Sequence, residues 1–522
     1  MLRRFWSVLR PYWRTETGIF LGIWLCLMIC GRSLLLRDPG AFWHPVVGQY
    51  MLDHGEIVRT DPLSFTRQGQ PWTAHQWLAE CGMAAIHDVA GFDALLLVAV
   101  TLLAGIYTWV ASRLLRGGLH PLPTLLVLAL VLLGSSAQFH PRPLILSIGL
   151  FGATLALLVD VEAGRVPKRW LWAFPAIVIF WANVHGAVLA GIATVGLCAA
   201  GWCVVWLFGL GDSPVRSRRD VASIVAMMSA SCLAVLVGPY GLALPRAWMN
   251  TLAIPLPQLI QEHAPVDLTS SAGLGAIALG VGYLVLLAGA MPRRPRVTWL
   301  LPLVWFILAC QRVRNVPLFA LSAAIAGSDL LPYTRWAAWL QGHEMFLPPR
   351  TESSTPGRRS WLAAMRPGLL PAILVLTAVC LQAAGVRAPV VGRGWARLDA
   401  TLWPVDLLPE LRRINQENAE GTPIFNDLSF GGFLIYYAPR LRVFIDDRCD
   451  LYGGEMLRAY DHARREDPAA IDRWQRQYGF RYALVATGEN FDRHLQESPE
   501  WTIVRRTPPA TLYRRRGGPP GS

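Results

Sequence analysis

At 522 residues, with 53% hydrophobic and 16% charged side chains, the chain departs from soluble proteins, which carry about 25% charged residues to face water. Its formal net charge of +13 is almost all arginine, set in short groups between apolar runs rather than along a groove. That pattern excludes a nucleic-acid partner and points to a multi-pass protein bathed in membrane lipids.

Apolar runs near the roughly 20-residue length that crosses a hydrocarbon core recur along the chain. Taken in order, the predicted spans are 17–36, 92–114, 121–139, 143–161, 170–183, 186–209, 221–240, 272–290, 297–311, 316–333 and 367–386, about eleven, with 77–90 as a short further candidate. The first follows basic residues (Arg3, Arg4, Arg10, Arg14) and has no small-residue cleavage site after it, so it reads as a retained span rather than a signal peptide. Seven of the nine cysteines fall inside these spans and read as packing residues, with no zinc-type spacing among them.

Alternating the spans from a cytoplasmic N-terminus puts twenty Lys and Arg residues in the inner connections and seven in the short outer ones. This is the bias that orients membrane proteins, and it places the C-terminal end outside. The expected organisation is a transmembrane core over 1–333 with a long first outer loop at 37–80, a cytoplasmic linker at 334–366, a last span at 367–386, and an extracytoplasmic domain over 387–522. The first loop reads Arg37-Asp38-Pro39-Gly40-Ala41-Phe42-Trp43-His44, then Asp61-Pro62-Leu63-Ser64-Phe65, then Trp72 and His75-Gln76-Trp77-Leu78-Ala79-Glu80. Within it, 43–54 has the spacing of an amphipathic helix lying at the membrane interface.

The same topology carries a set of polar residues to one face: Asp38, His44, Asp61, His75 and Glu80 in the first loop, His140 and Arg142, Asn183 and His185, Glu262 and His263, Arg312 and Arg314. Ionisable groups at a membrane boundary are costly and usually face a cavity or partner, so a single outward-facing polar site is expected. The competing reading for each is a solvated loop residue, or, for the arginines, snorkelling to lipid headgroups.

In the tail, 402–417 reads as a helix. Strand-like runs follow at Pro423–Asn426, Phe433–Tyr437, Arg442–Ile445, Tyr482–Ala486, Trp501–Val504 and Thr511–Tyr513, with helical stretches at 455–465 and 469–478. That alternation predicts a small α/β domain. Gly431-Gly432 reads as a tight turn, and Asp446-Asp447-Arg448-Cys449-Asp450 as a turn with a local Arg–Asp pair in preference to a binding site. No nucleotide fingerprint is present, so an energy-rich donor would arrive dissolved in the membrane.

The first loop resembles the GT-C class of polyprenyl-phosphate-dependent glycosyltransferases, which includes the protein O-mannosyltransferases and the lipid A aminoarabinose transferase. The resemblance is nearest to bacterial lipopolysaccharide galacturonosyltransferases, whose first loop reads roughly D-P-D-x-W-W-H-x-x-x-G, then D-P-F-S-F and W-x-x-x-x-W-L. It extends to His140-Pro141-Arg142-Pro143, Trp181-Ala182-Asn183-Val184-His185-Gly186 and Arg312-Val313-Arg314-Asn315, and in the tail to Phe425-Asn426-Asp427, Phe430-Gly431-Gly432-Phe433 and Phe444-Ile445-Asp446-Asp447-Arg448.

The resemblance implies a GT-C-like helical body in the bacterial inner membrane, acting on the outer face. A sugar would leave a polyprenyl phosphate and join a lipid, glycan or protein acceptor. Asp38 matches the aspartate taken as general base. Arg312 and Arg314, then Arg142, are the candidates to offset the charge on the departing phosphate. The second acidic residue of the pattern is Gly40 here, which leaves Asp61 as the candidate second carboxylate. His44, His75, His140, Asn183, His185 and Glu80 are expected to bind substrate. The four histidines leave a divalent metal open as a cofactor, against direct hydrogen bonding to acceptor or phosphate. Two other functions stand beside the transferase: a transporter or flippase of lipid-linked saccharides, disfavoured by the absence of an internal repeat, and a GT-C-fold assembly protein that has lost catalysis.

Overall fold

The computed structural model describes residues 13–255, 263–290, 295–346 and 360–517. The helical body consists of α1 (Thr15–Leu34), α2 (Gly40–His54), α3 (Trp77–Ala90), α4 (Phe92–Arg116), α5 (Pro121–Ser135), α6 (Leu144–Glu162), α7 (Phe174–Val184), α8 (Val188–Leu207), α9 (Arg218–Ala234), α10 (Ala243–Ala253), α11 (Ser271–Ala288), α12 (Val297–Gln311), α13 (Val316–Leu330), α14 (Arg335–Gly342) and α15 (Ser360–Ala383). Every predicted span falls on one of these helices. Among the described residues seven helices are long and apolar enough to cross a membrane: Thr15–Leu34, Phe92–Arg116, Pro121–Gln138, Leu144–Glu162, Val188–Leu207, Ser271–Ala288 and Val313–Tyr333. The spans predicted at 170–183, 221–240, 297–311 and 367–386 fall on α7, α9, α12 and α15, which are shorter or less apolar.

The centre of the body is α13, every residue of which is buried. Ala320, Ala323, Ala324, Ala326 and Gly327 give it a thin profile, so α4, α5, α6, α11 and α12 all pack against it. Its one carboxylate, Asp329, accepts hydrogen bonds from Arg165 Nη1 (2.6 Å), Arg296 Nη1 (2.5 Å) and Trp299 Nε1 (2.8 Å), which fastens three helix ends together. A buried carboxylate without such partners would be strongly destabilising.

The C-terminal domain holds α16 (Leu408–Glu417), β1 (Thr422–Asn426), α17 (Gly431–Tyr437), β2 (Leu441–Val443), α18 (Cys449–Arg465), α19 (Ala470–Tyr478), β3 (Tyr482–Ala486), α20 (Asn490–Glu497), β4 (Trp501–Arg506) and β5 (Ala510–Arg515). Its sheet runs β2-β1-β3-β5-β4, with β1 parallel to β2 and β3, and β5 antiparallel to β3 and β4. The first loop extends this sheet: Val443 N donates to Leu63 O and Phe65 N to Val443 O. Phe42 of α2 sits in an aromatic cluster with Phe92, Trp403, Phe433, Tyr436 and Tyr437, ring centroids 4.8–6.2 Å apart. Such contacts add about 0.5–1.5 kcal/mol per pair beyond burial.

Several expectations need correcting. Phe433–Tyr437 is helical, not a strand: Phe433, Leu434 and Ile435 are buried while Tyr436 and Tyr437 close on Phe42, so tertiary packing overrides β propensity. Gly431-Gly432 opens that helix instead of making a tight turn. A Cβ on Gly432 would lie 2.3 Å from the Pro39 carbonyl oxygen, so glycine is needed for the domain to close on the first loop. The strand expected at 442–445 shrinks to Leu441–Val443, and the short polar helix α20 carried too little apolar pattern to be foreseen. Helix α2 does not lie open at an interface; it is packed between α3 and α17. Part of the expected linker forms α14, and 347–359 lie outside the described residues, as do Arg3, Arg4, Arg10, Glu262, Arg293 and Arg294.

Candidate active site

Asp38 directly follows the turn that ends α1. Its Oδ1 accepts from Gly40 N at 2.8 Å and its Oδ2 from Arg142 Nη1 at 2.5 Å. Arg142 is delivered by the Pro141-Arg142-Pro143 turn that opens α6. Gly40 has a steric reason: a Cβ there would lie 2.8 Å from Asp38 Oδ1. The position where the resemblance expects a second acid is thus occupied by the Asp38 carboxylate itself.

A second carboxyl comes from the other domain. Asp447, just beyond β2, accepts from Trp43 Nε1 at 2.8 Å. Burial, and then the neighbouring Asp38 and Asp446 carboxylates, push its pKa well above the ordinary carboxylate range. Two carboxyl groups in different surroundings side by side is an arrangement that can divide acid and base work.

Below this pair, α2 and α3 contribute His44 and Glu80, both buried, with Nδ1 and Oε1 3.0 Å apart. Burial, then the charge of Arg142, pushes His44 well below its ordinary 6.5. Burial, then Asp450, pushes Glu80 from 4.5 up to about 8. The pair is therefore neutral at pH 7, and Glu80 Oε2 has no protein partner among the described residues. His75 lies 3.8 Å from Asp450, which also accepts from Trp72 Nε1. Burial raises the Asp450 pKa, but these two groups outweigh it and hold it low.

The 446–450 segment is what joins the domains. Arg448 makes the expected local pair with Asp446 and also reaches Asp61 Oδ1 at 2.7 Å, and all three side chains are buried. Burial opposes the Arg448 charge, yet the two carboxylates outweigh that and raise its pKa. Trp72 covers the guanidinium at 4.6 Å.

This corrects the expectation for Asp61. Its carboxylate is saturated by Leu63 N, Ser64 N, Ser64 Oγ and Arg448, so it braces the loop and is closed to substrate. Asn183 is likewise structural: it donates to Ile179 O and Val237 O and accepts from Trp77 Nε1. His185 stands against Ser147 at 3.1 Å, and His140 against the Leu35 carbonyl at 3.2 Å, both on the rim of the cluster. Arg314 bonds His263 at 2.6 Å. The cation that meets Asp38 is Arg142. Among the described residues no three His, Cys, Asp or Glu side chains gather as a metal-ligand set.

Two cavities meet at Arg142. One, of about 310 Å³, is an apolar groove between α3, α4, α6 and α7, lined by residues such as Leu78, Met83, Leu95, Leu102, Leu146 and Phe180. The other, of about 430 Å³, is polar; Asp38, Pro39 and Arg142 form one wall and the C-terminal domain the other. Asp447 was noted in the sequence only as part of a turn; its position after a strand, within a run of three acids, was the available signal.

No protein-family model and no curated protein matches the chain. Among solved structures, ArnT from Cupriavidus metallidurans in the apo state superposes with a TM-score of 0.50 at 15% identity, over 98% of this chain and 98% of that one. The same protein bound to undecaprenyl phosphate gives 0.47 and 15%, over 97% of each chain. The apo likeness shows the fold: a helical body with a C-terminal α/β domain, as in that protein.

Proposed function

We propose that the chain is an inverting glycosyltransferase that moves a sugar from a polyprenyl-phosphate carrier to an acceptor hydroxyl or amine at the outer face of the inner membrane. The observation that carries this reading is the place of Arg142, at the wall shared by an apolar groove and a polar cavity and bonded to Asp38. A groove of apolar side chains ending on one guanidinium suits an isoprenoid chain that ends in a phosphate.

Asp38 takes the acceptor proton as the acceptor oxygen or nitrogen attacks the anomeric carbon. The bond from that carbon to the phosphate oxygen breaks, and its electron pair leaves with the polyprenyl phosphate. Arg142 faces the charge that develops there. The buried His44–Glu80 pair packs beside Asp38 without lining either cavity, and Asp447, on the cavity wall, is within reach of a sugar oxygen. Arg142 takes the phosphate role expected of Arg312 and Arg314. Among the described residues no ligand set gathers, and the steps above are carried by side chains alone. Gly40 packs against the Asp38 carboxylate, and Asp38 keeps its place beside Arg142.

A diazirine-bearing polyprenyl phosphate photocrosslinked to the full chain in membranes tests the reading. Adducts are expected on peptides from α3, α4, α7 and the start of α6; adducts confined to other helices would overturn it.

A further inference from the structure

The polar cavity has an architecture of its own. Strands β1, β2 and β3 are parallel, and the chain leaves β1 to one side for β2, then crosses to the other side for β3. The crevice beyond the carboxyl ends of β1 and β3 is the place where open α/β sheets bind ligands. Here that crevice opens toward Asp38: Asp427 follows β1, Asp447 follows β2, Ala486 ends β3 and Glu489 follows it, all lining the cavity. Its inner edge is fixed, since buried Asp427 accepts from Tyr460 Oη (2.7 Å) and Ala486 N (2.6 Å). A volume near 430 Å³ lies within the roughly 300–1,000 Å³ of small-molecule sites.

Its charge selects the occupant. Five carboxyl side chains line it (Asp38, Asp427, Asp447, Asp461, Glu489) against two guanidiniums, and both of these are already bonded to carboxylates, Arg142 to Asp38 and Arg464 to Asp461. Beyond Arg142 the wall holds carboxyl groups and the paired Arg464, which suits hydrogen bonds to hydroxyl and amino groups over a second, free phosphate.

From this geometry we infer that the strand-end crevice of the C-terminal domain is the acceptor site, and that the acceptor presents a saccharide there rather than a phosphate or an apolar chain. The inference rests on the transferase reading for what happens next to the sugar, and not for the binding itself.

The test uses the full chain in lipid nanodiscs, with methyl β-glucopyranoside and methyl β-glucosaminide as probes in saturation-transfer NMR, inorganic phosphate as competitor, and undecaprenyl phosphate binding read on the same sample. Ring protons of a glycoside are expected to saturate, with no competition from phosphate. The signal is expected to fall about tenfold in Ser429→Trp, which fills the cavity from an exposed position, and in the surface change Glu489→Lys, while undecaprenyl phosphate binding holds. No glycoside signal, a signal indifferent to both substitutions, or displacement by phosphate would overturn the assignment. Glycoside contact that persists where undecaprenyl phosphate fails to bind would uphold the crevice and sink the donor reading instead.

Discussion

Arg142 Nη1 lies 2.5 Å from Asp38 Oδ2, joining two turns 104 residues apart in the chain. The contact places a guanidinium between a candidate base and the mouth of an apolar groove, so one side chain touches both halves of the proposed reaction.

Asp38→Asn keeps the shape and the Gly40 contact but removes the proton acceptor. Sugar transfer in membranes is expected to fall by about 10²–10⁴-fold, the usual contribution of a general base, with expression and donor binding kept. Transfer within a few-fold of wild type would remove Asp38 from that role.

The His44–Glu80 pair sets a pH dependence. Glu80 titrates near 8 in the folded chain against an ordinary 4.5, so between these values the folded state holds a proton that the unfolded state has released. Stability from this group therefore falls as pH rises through that window, by up to about 1.4 kcal/mol per unit. His44, with its pKa lowered, works in the opposite direction below 6.5, so the two slopes offset at acid pH and the net fall shows from about 6.5 to 8. Thermal unfolding of wild type is expected to show this fall, and Glu80→Gln to flatten it; parallel profiles would contradict the neutral-pair assignment.

Arg448→Met leaves Asp61 and Asp446 buried without their cation, a loss of about 3–5 kcal/mol. Because the triad joins the first loop to the C-terminal domain, limited proteolysis of Arg448→Met should cut within 59–70 well before wild type is cut. Arg448→Met combined with Asp61→Asn and Asp446→Asn should recover part of the loss, and no recovery would count against the triad.

Gly432→Ala places a methyl carbon 2.3 Å from the Pro39 carbonyl oxygen, one residue beyond Asp38. The domain must back away, so turnover is expected to drop about tenfold or more with the chain still folded. Gly454→Ala, whose Cβ meets nothing nearer than 3.5 Å, is the control and should be near neutral.

The helices are legible because twenty-residue apolar runs have few other uses, and the arginine bias suggests which loops share a face. Asp38, Arg142, His44 and Glu80 are grouped by that pattern, and the structure brings them into one region. The pattern does not separate chemistry from bracing. Asp61 is bonded to Arg448 across 387 residues, and no local pattern records such a pairing. Asn183 is spent on three structural hydrogen bonds, to its own helix, to Trp77 and to the Val237 turn. The Asp446–Arg448 turn was read correctly as a local pair, but its reach into the first loop and the role of Asp447 depend on how the C-terminal domain seats. Phe433–Tyr437 carries strand-forming residues whose burial against Phe42 favours a helix.

Undecaprenyl phosphate titrated into the purified full chain and read by native mass spectrometry tests the central claim most directly, with Arg142→Gln as the paired variant. Wild type should hold one lipid phosphate per chain, and Arg142→Gln should bind it about tenfold or more weakly, a charge-assisted hydrogen bond being lost. Equal binding by the two proteins would contradict the account.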